Sequence, residues 1–249
     1  MAPLQRHQLV WLDAGAWQRV LTERTEMPSW DPQALQCLQH WAQRDLPLVV
    51  TRQPRGWSGR QADEALMLGL AAPTRWDRRR LCVEARVGDV RRSGHFPRAS
   101  AITAMLPAPT HQAWAALCSA LDQDGALARV YGSYGWQQRT GQACLRDGSD
   151  IDLLVAVDSP RQADAVTARL EHVPFGAPRL DGELLFIDGS AVAWREWAAW
   201  RAGGTEQLLV KRVHGATLEN GSSWKLAARA PHGRPKALGT AARSAKACQ

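Results

Sequence analysis

A pair of aspartates at the start of an apolar run is the pattern in this chain that points most directly to chemistry. Asp150 and Asp152 stand in SDIDLLVAV, with Ile151 between them. Alternate side chains of a β-strand share a face, so both carboxylates point the same way while Ile151 points into the protein. Two adjacent carboxylates repel each other, and a cation such as Mg²⁺ between them relieves the repulsion. The alternative is a solvent-facing pair at the start of a strand, with Asp150 serving the preceding turn.

A Gly-Ser pair lies upstream of these acids. Gly132 and Ser133 end the apolar segment ARVY and open a turn, where backbone N–H groups can face an anion. Together with the acids, this turn predicts phosphoryl transfer assisted by magnesium. Trp136 and Gln137 follow so closely that we expect them at the same site, although core packing explains a tryptophan equally well. Ser133 also has a purely structural interpretation, as a turn residue.

Composition and charge limit the class of protein and the kinds of partner it can have. The 249 residues are 45% apolar and 22% charged, as in an ordinary soluble globular protein. The net charge of +7 favours an anionic partner, whether polyphosphate, nucleic acid or an acidic protein. The five cysteines form no C-x-x-C pair, which favours a reduced cytoplasmic setting and argues against structural zinc. No signal peptide is recognisable, and no apolar run approaches the roughly 20 residues of a membrane span.

The pattern of apolar residues predicts an α+β protein. A small N-terminal α+β domain covers residues 1–107, and Pro107 and Pro109 interrupt the pattern at its end. Within it we expect five elements and a turn at Gly88 and Asp89. They are strands over residues 8–12 and 47–53, a helix over 32–44, a second helix in QADEALMLGL that ends near Gly69, and a strand or hairpin arm in LCVEARVGDVRR.

A second domain over residues 108–215 carries the acids. Its predicted elements are a helix from Thr110 to Leu121, strands in ARVYGS and DIDLLVAV with a loop between them, a helix from Ser159 to about His172, and a hairpin in RLDGELLFIDGSAVAWREW with Asp188 and Gly189 at its bend. EQLLVKRVHG forms the last element. Residues 216–249 are basic and lack apolar periodicity, so we expect a flexible tail.

The order of these elements resembles the nucleotidyltransferase fold, with a mixed sheet and flanking helices. In that family the turn and its serine hold a polyphosphate, the paired acids bind two magnesium ions, and a third acid comes from a later strand. The resemblance therefore implies that Gly132 and Ser133 hold phosphate and that Asp150 and Asp152 bind metal. For the third acid we prefer Asp181 or Glu183, which share a face of a regular strand; Glu196 and the turn residue Asp188 are weaker candidates.

Longer sequence motifs restrict the resemblance to one family. GSYGWQ, GSDIDLL, RLDGEL, AVAWREW and PLVVTRQ upstream of LGLAAPTRW are similar to the malonate decarboxylase holo-acyl-carrier-protein synthases, also called phosphoribosyl-dephospho-CoA transferases. This resemblance extends to about Gly215. It implies a donor, 2′-(5″-triphosphoribosyl)-3′-dephospho-CoA, and an acceptor serine on the apo acyl carrier protein subunit of malonate decarboxylase. Pyrophosphate would leave by in-line displacement, with no nucleic acid and no membrane involved.

Several basic residues are candidates for binding the donor. The resemblance suggests this role for Arg52 and Arg75, whereas the run Arg78 to Arg80 is typical of a solvated surface. Arg195 and Lys211 could complete a phosphate clamp. Lys211 and Arg212 point in opposite directions on a strand, so at most one of them can serve.

Two other functions are compatible with the sequence. One is another nucleotidyltransferase that acts on RNA, a protein or a small molecule, although no aromatic and basic strand motif of RNA-binding proteins is present. The other is a catalytically silent module that binds nucleotide. The intact set of acids argues against the silent module.

Overall fold

Two β-sheets organise the chain, one in each half of the sequence. The structure, a computed structural model, describes residues 4–22, 30–174 and 176–220. The first sheet is entirely antiparallel, while the second is mixed because one of its strand pairs is parallel. The predicted α+β class with a mixed sheet is therefore confirmed.

The first sheet has the strand order β4-β3-β2-β1-β5. Alternation of buried and exposed residues along β4 shows that one face of the sheet is covered, in this case by the two helices of this half. Asp31 caps the second of these helices by accepting hydrogen bonds from two backbone N–H groups. The elements are β1 (Leu9–Leu12), α1 (Ala14–Thr22), α2 (Pro32–Gln43), β2 (Leu48–Val50), β3 (Ala65–Ala71), β4 (Arg80–Arg86) and β5 (Val90–Gly94).

The helix predicted in QADEALMLGL is wrong, because residues 65–71 form β3. Alanine, leucine and methionine favour helices by intrinsic propensity, but β3 pairs with β2 on one side and with β4 on the other. Nor do β4 and β5 form a hairpin around Gly88 and Asp89. They lie at opposite edges of the sheet, since β5 pairs with β1.

The second sheet has the order β11-β10-β9-β8-β7-β6, and only the pair β7–β8 is parallel. A helix makes the crossover that parallel strands need, and Ser159 caps it as predicted. The elements are α3 (His111–Gln123), β6 (Leu127–Tyr131), α4 (Gly132–Thr140), β7 (Ile151–Val157), α5 (Pro160–Glu171), β8 (Leu180–Phe186), β9 (Ala191–Ala193), α6 (Trp194–Arg201), β10 (Gln207–Arg212) and β11 (Gly215–Asn220).

Three parts of the second half differ from the sequence prediction. The Gly-Ser pair opens a helix, α4, and does not end the preceding strand before a loop, as the sequence predicted. The hairpin bends at Asp188 and Gly189 as expected, but its second arm is short, so Arg195 and Glu196 lie on α6. Residues 215–220 form β11, so the predicted tail begins with a strand; residues 221–249 lie outside the described residues.

Within the described residues, four short 3₁₀ helices connect the regular elements. Two of them, residues 99–105 and 108–110, lie in the connection between the two sheets. The four are Thr74–Trp76, Val87–Asp89, Ala99–Met105 and Ala108–Thr110.

Helix α4 ties the two halves together through Trp136. This side chain is buried in the first core, with its ring edge-on to Trp41 and to Phe96 at centroid distances of 6.4 and 5.2 Å. The first residues of α4, in contrast, lie at the end of β6 in the second sheet. The Gly-Ser pair is thereby held between the two cores. In the part of the chain that the structure describes, no helix is both long and apolar enough to cross a membrane.

Candidate active site at the edge of the second sheet

The acids predicted from the sequence meet where β6 ends and where β7 and β8 begin. Parallel pairing of β7 with β8 places Asp152 opposite Asp181, and antiparallel pairing with β6 places Tyr131 on the other side of Asp152. Asp150 immediately precedes β7. The strand register thus brings three carboxylates from two strands to one edge of the sheet.

Asp152 is the acid of this cluster whose negative charge is least stabilised by neighbouring groups. Among the described residues, none donates a hydrogen bond to its side chain. Burial raises the pKa of Asp152 to about 6, and the negative charges of Asp181, Asp150 and Glu183 act in the same direction. Burial and repulsion by three neighbouring acids thus both disfavour the ionised form of Asp152. A cation bound there would remove this repulsion.

Gly132 lies directly against the Asp152 carboxylate. Its φ is 60°, in the left-handed region, and a β-carbon at this position would lie 1.8 Å from Oδ2 of Asp152. Only glycine therefore fits between the end of β6 and the acid. Because Gly132 is the first residue of α4, the positive end of this nine-residue helix is at the acid cluster.

Gly182 fixes the position of the acids on β8. Its φ is 133°, and a β-carbon would lie 1.9 Å from the carbonyl oxygen of Leu153 on β7. Glycine at this position lets the two strands approach closely. As a result Asp181 stays at the exposed edge, while Glu183 is only 4% exposed, deeper in the sheet.

Glu183 is surrounded by cationic and N–H groups. Its two carboxylate oxygens lie 2.6 and 3.1 Å from the guanidinium nitrogens of Arg6, and Lys211 Nζ donates to Oε1 at 2.8 Å. His7 Nε2 is 3.2 Å from Oε2. Burial alone would raise the pKa of Glu183, but the hydrogen bonds from His7 and Arg6 hold this pKa well below its usual range. Glu183 therefore joins the N-terminal segment to the sheet.

These contacts distinguish Asp181 from Glu183, the two preferred candidates for the third acid. The oxygens of Glu183 are occupied by three partners, and Arg6 and His7 come from a segment that precedes β1. Asp181 faces Asp152 across the strand pair and remains accessible. The geometry favours Asp181 for a role beside Asp152. Asp188 accepts hydrogen bonds from the backbone N–H and hydroxyl of Ser190 in the turn, which accounts for this acid structurally.

Arg179 bridges two of the acids. Its Nη2 lies 2.6 Å from Oδ2 of Asp150 and 3.3 Å from Oδ2 of Asp181. The hydrogen bond from Arg179 lowers the pKa of Asp150, and the charge of Arg195 adds to this effect. Two of the three edge carboxylates thus share one guanidinium group.

The first half of the chain contributes a cation to the Gly-Ser pair. Arg78 Nη2 donates to the hydroxyl oxygen of Ser133 at 3.3 Å. Both Asp77 and Arg78 have left-handed backbone conformations, with φ values of 56° and 54°. Such conformations cost non-glycine residues about 1 kcal/mol each, so the surrounding fold must hold this turn in place.

The other predicted donor-binding residues are dispersed. Lys211 points toward the acid cluster and Arg212 pairs with Glu219, so the strand separates these neighbours as expected. Arg195 donates to the carbonyl oxygen of Leu180 at 2.8 Å, close to Asp150. Arg52 donates to the carbonyl of His214 in the β10–β11 turn, and the guanidinium carbon of Arg75 lies 3.7 Å from the centroid of the Trp76 ring. Neither of these last two has a described contact with the acids.

Trp136 and Gln137 are accounted for by packing. Trp136 is buried in the first core, and Gln137 Oε1 accepts hydrogen bonds from the backbone N–H groups of Cys144 and Leu145 at 3.0 Å each. The glutamine thereby holds the loop that leads to β7. We leave both side chains out of the proposed binding site.

The acids match magnesium in chemistry but do not enclose it. Carboxylate oxygens are the ligands that Mg²⁺ prefers, and the repulsion between Asp152 and the neighbouring acids favours a cation. As they stand, the described side chains form no group of three or more histidine, cysteine, aspartate or glutamate residues arranged around a metal. The guanidinium of Arg179 lies between two of these acids, Asp150 and Asp181.

Three residues at the site, Arg6, His7 and Arg179, escaped the sequence analysis, and Arg78, interpreted there as part of a solvated surface run, contacts Ser133. Arg179, just before β8, could have been found, because it alternates with Asp181 and Glu183 and so lies on the same side of an extended chain. Arg6 and His7 reach Glu183 across 177 and 176 positions, and no local pattern reports such a contact.

Comparison with known proteins identifies the family. The sequence profile described as phosphoribosyl-dephospho-CoA transferase MdcG N-terminal domain matches residues 5–96, and that of the MdcG C-terminal domain matches residues 98–221. These matches, which cover both sheets, assign the chain to the transferases. It belongs to the phosphoribosyl-dephospho-CoA transferase family, so the resemblance seen in the sequence is confirmed.

Individual relatives agree with this assignment. A phosphoribosyl-dephospho-CoA transferase of Xanthomonas campestris pv. campestris (strain 8004) is 37% identical over 216 residues, or 86% of this chain and 92% of the relative. The Bradyrhizobium diazoefficiens protein of the same name is 30% identical over 87% of this chain and 90% of its own. A Pseudomonas putida protein, also of that name, is 29% identical over 83% and 91%. No solved structure gives a significant match.

Proposed function

We propose that the chain transfers the phosphoribosyl-dephospho-CoA group from 2′-(5″-triphosphoribosyl)-3′-dephospho-CoA to a serine of the apo acyl carrier protein subunit of malonate decarboxylase. The serine oxygen attacks the α-phosphorus, the bond from that phosphorus to the bridging oxygen breaks, and pyrophosphate leaves. Family membership supports the transferred group, and the acid cluster beside a Gly-Ser helix start supports chemistry at phosphorus.

The edge acids are the proposed magnesium ligands. Asp150 and Asp152 would bind the metal ions, and Asp181 is the third acid that the strand register favours. Bound Mg²⁺ ions would neutralise phosphate charge and orient the attacking and leaving oxygens. Gly132 allows the Asp152 carboxylate to lie against the start of α4, so the ligands and the helix terminus are close together.

The polyphosphate would bind beside these acids. Ser133 and the first N–H groups of α4 are the proposed hydrogen-bond donors to the polyphosphate. Arg78 adds a guanidinium that already contacts the serine hydroxyl. Arg195 and Arg179 supply further positive charge near Asp150. These cations come from three separate parts of the chain. Together they would hold the donor in the orientation that in-line attack requires.

Two acids are candidates for the base that accepts the serine proton. Asp152 and Asp181 both lie at the edge where the acceptor would approach. The family resemblance does not choose between them. Acidification of the hydroxyl by a bound metal is the third route, and it would need neither acid as the base.

The observation that carries the proposal is the contact between Gly132 and Asp152 at the place where Asp181 pairs with Asp152. The test is mass spectrometry of the apo carrier subunit after incubation with donor and Mg²⁺. Asp150→Asn and Asp152→Asn should abolish the mass increase of the carrier. Asp158→Asn, an exposed aspartate just after the opposite end of β7, is the matched control and should retain transfer.

The alternative functions give different results in the same assay. Release of pyrophosphate from ATP or CTP with an RNA acceptor, but none with the CoA-derived donor, would support another nucleotidyltransferase. Absence of magnesium-dependent donor binding in calorimetry would support a silent module. We place the reaction in the cytoplasm, where the free thiols of Cys37, Cys82, Cys118 and Cys144 would stay reduced.

A further inference from the structure

Arg179 occupies the space between two proposed metal ligands. A single nitrogen, Nη2, contacts Asp150 at 2.6 Å and Asp181 at 3.3 Å, although these acids belong to different segments. Asp150 precedes β7 and Asp181 lies on β8, so the guanidinium links the two neighbouring strands at their exposed edge. One positive charge thus lies where a cation would have to contact both carboxylates.

The Arg179 contact is exposed, unlike the other arginine contact with an acid of this cluster. The Arg179 side chain is 59% exposed, and its partners Asp150 and Asp181 are 34% and 37% exposed. Arg6, in contrast, binds a Glu183 side chain that is only 5% exposed. Exposed ion pairs contribute little to stability, whereas removing one partner of a buried pair is strongly destabilising. Arg179 can therefore leave the acids without disrupting the fold.

We propose that Arg179 serves as the counter-ion of the acid cluster until a divalent cation displaces it. The displaced guanidinium then binds the polyphosphate of the donor. This inference rests on the proposed function. A divalent cation bound to Asp150 and Asp181 repels the guanidinium, because both compete for the same oxygens. The donor brings phosphate oxygens to the same edge, and the planar guanidinium binds these in a bidentate manner.

The proposal predicts opposite effects of one substitution. Removal of Arg179 eliminates a competitor of the metal, so a free divalent cation should bind more tightly. The same removal eliminates a phosphate ligand, so the polyphosphate should bind more weakly. A purely structural arginine would not change the cation affinity and the polyphosphate affinity in opposite directions, since its loss would weaken or preserve both together.

The experiment is calorimetric titration of the full-length protein with Mn²⁺ alone. Arg179→Ala should raise the Mn²⁺ affinity about fivefold or more, which is the usual lower range of coupling between two sites. Arg179→Lys keeps the charge and should fall between this variant and the wild type. Arg169→Ala is the matched control, because Arg169 is a similarly exposed arginine that is paired with Asp124 on a different surface. It should bind Mn²⁺ like the wild type.

A second titration uses the preformed complex of Mg²⁺ with inorganic tripolyphosphate. Arg179→Ala should bind this complex about tenfold more weakly, as expected for loss of a charge-assisted hydrogen bond. Arg179→Lys should recover part of the affinity but not all, since an ammonium lacks the planar fork. Thermal unfolding in EDTA establishes that each variant is folded before it is titrated.

The outcomes distinguish the two proposals. If the wild type binds no Mn²⁺, the proposed metal site fails, and the role of Arg179 fails with it. If the wild type binds Mn²⁺ but Arg179→Ala and Arg179→Lys bind it equally well or more weakly, the counter-ion role is overturned while the metal site stands. Unchanged binding of magnesium tripolyphosphate by folded Arg179→Ala would overturn the phosphate half of the proposal.

Discussion

Gly132 and Asp152 are in direct contact, and a β-carbon on the glycine would overlap the Oδ2 atom of the acid at 1.8 Å. The contact joins the two patterns that the sequence presents separately, the Gly-Ser pair and the Asp-x-Asp pair. It exists because antiparallel pairing of β6 with β7 sets Tyr131, the residue before Gly132, opposite Asp152. The start of α4 and the acid cluster are therefore one site.

Gly132→Ala should abolish transfer and destabilise the protein. The substitution adds a β-carbon at a φ of 60° and pushes the Asp152 carboxylate away from its position. We expect a loss of about 2 kcal/mol in the free energy of unfolding and at least about a hundredfold loss in kcat/KM. Gly148→Ala is the control, because Gly148 has a φ of 76° but no neighbour within 4 Å. Equal effects of both substitutions would refute the contact as the cause.

Asp152→Asn should stabilise the metal-free protein at neutral pH while it abolishes transfer. The pKa of Asp152 is raised from 3.8 to about 6 in the folded state, so ionisation of this acid costs stability as the pH rises from about 4 to above 6. Below about pH 4 the acid is protonated and the cost is absent. The variant should therefore be more stable by about 2 kcal/mol at pH 7.5 and equal to the wild type near pH 3.5.

Denaturant unfolding in EDTA at these two pH values measures the difference. Asp158→Asn, at the other end of β7, should leave stability unchanged within about 0.5 kcal/mol. An Asp152→Asn variant that is less stable than the wild type at pH 7.5 would show that the ionised Asp152 is not destabilised by its burial and by the neighbouring acids.

Glu183→Gln should destabilise the protein by about 3 kcal/mol at pH 7, because it leaves Arg6 and Lys211 without their buried anion. The pKa of Glu183 is lowered in the folded state, so its stabilisation is present above its ordinary pKa of 4.5. It is lost as the pH falls through the folded-state pKa. The difference between variant and wild type should thus shrink in acid.

Equilibrium unfolding at pH 7 and pH 3 tests this pH dependence. The exposed Glu171 at the end of α5 provides the control Glu171→Gln, for which we expect a change within about 0.5 kcal/mol at both values. A variant whose deficit grows in acid would show that Glu183 is not the stabilising anion.

Arg78→Ala should weaken binding of the donor. The guanidinium contacts the Ser133 hydroxyl, and loss of one charge-assisted contact to phosphate corresponds to a rise in KM of about tenfold or more. The fall in kcat should be smaller. Steady-state kinetics with varied donor concentration measures both, and Arg80→Ala, at the exposed start of β4, is the control. If Arg80→Ala raised KM as much as Arg78→Ala, a general effect of basic charge would explain the result.

The sequence by itself determined the parts of the site that depend on neighbouring residues. Asp150 and Asp152 share a face because strand side chains alternate, and the Ser159 cap and the turn at Asp188 follow from local hydrogen bonding. The same local reasoning went wrong where distant strands compete with intrinsic preference. Residues 65–71 favour a helix in isolation but form β3 between two neighbours.

Only the tertiary structure decided which groups surround the acids. Asp181 meets Asp152 through the parallel register of β7 and β8, and Glu183 is buried beneath Arg6. Arg78 reaches Ser133 across 55 positions. Such contacts depend on how packed elements are arranged in space, which alternation and turn chemistry do not encode. For this reason the acid pair could be read directly from the chain, whereas its counter-charges became visible only in the fold.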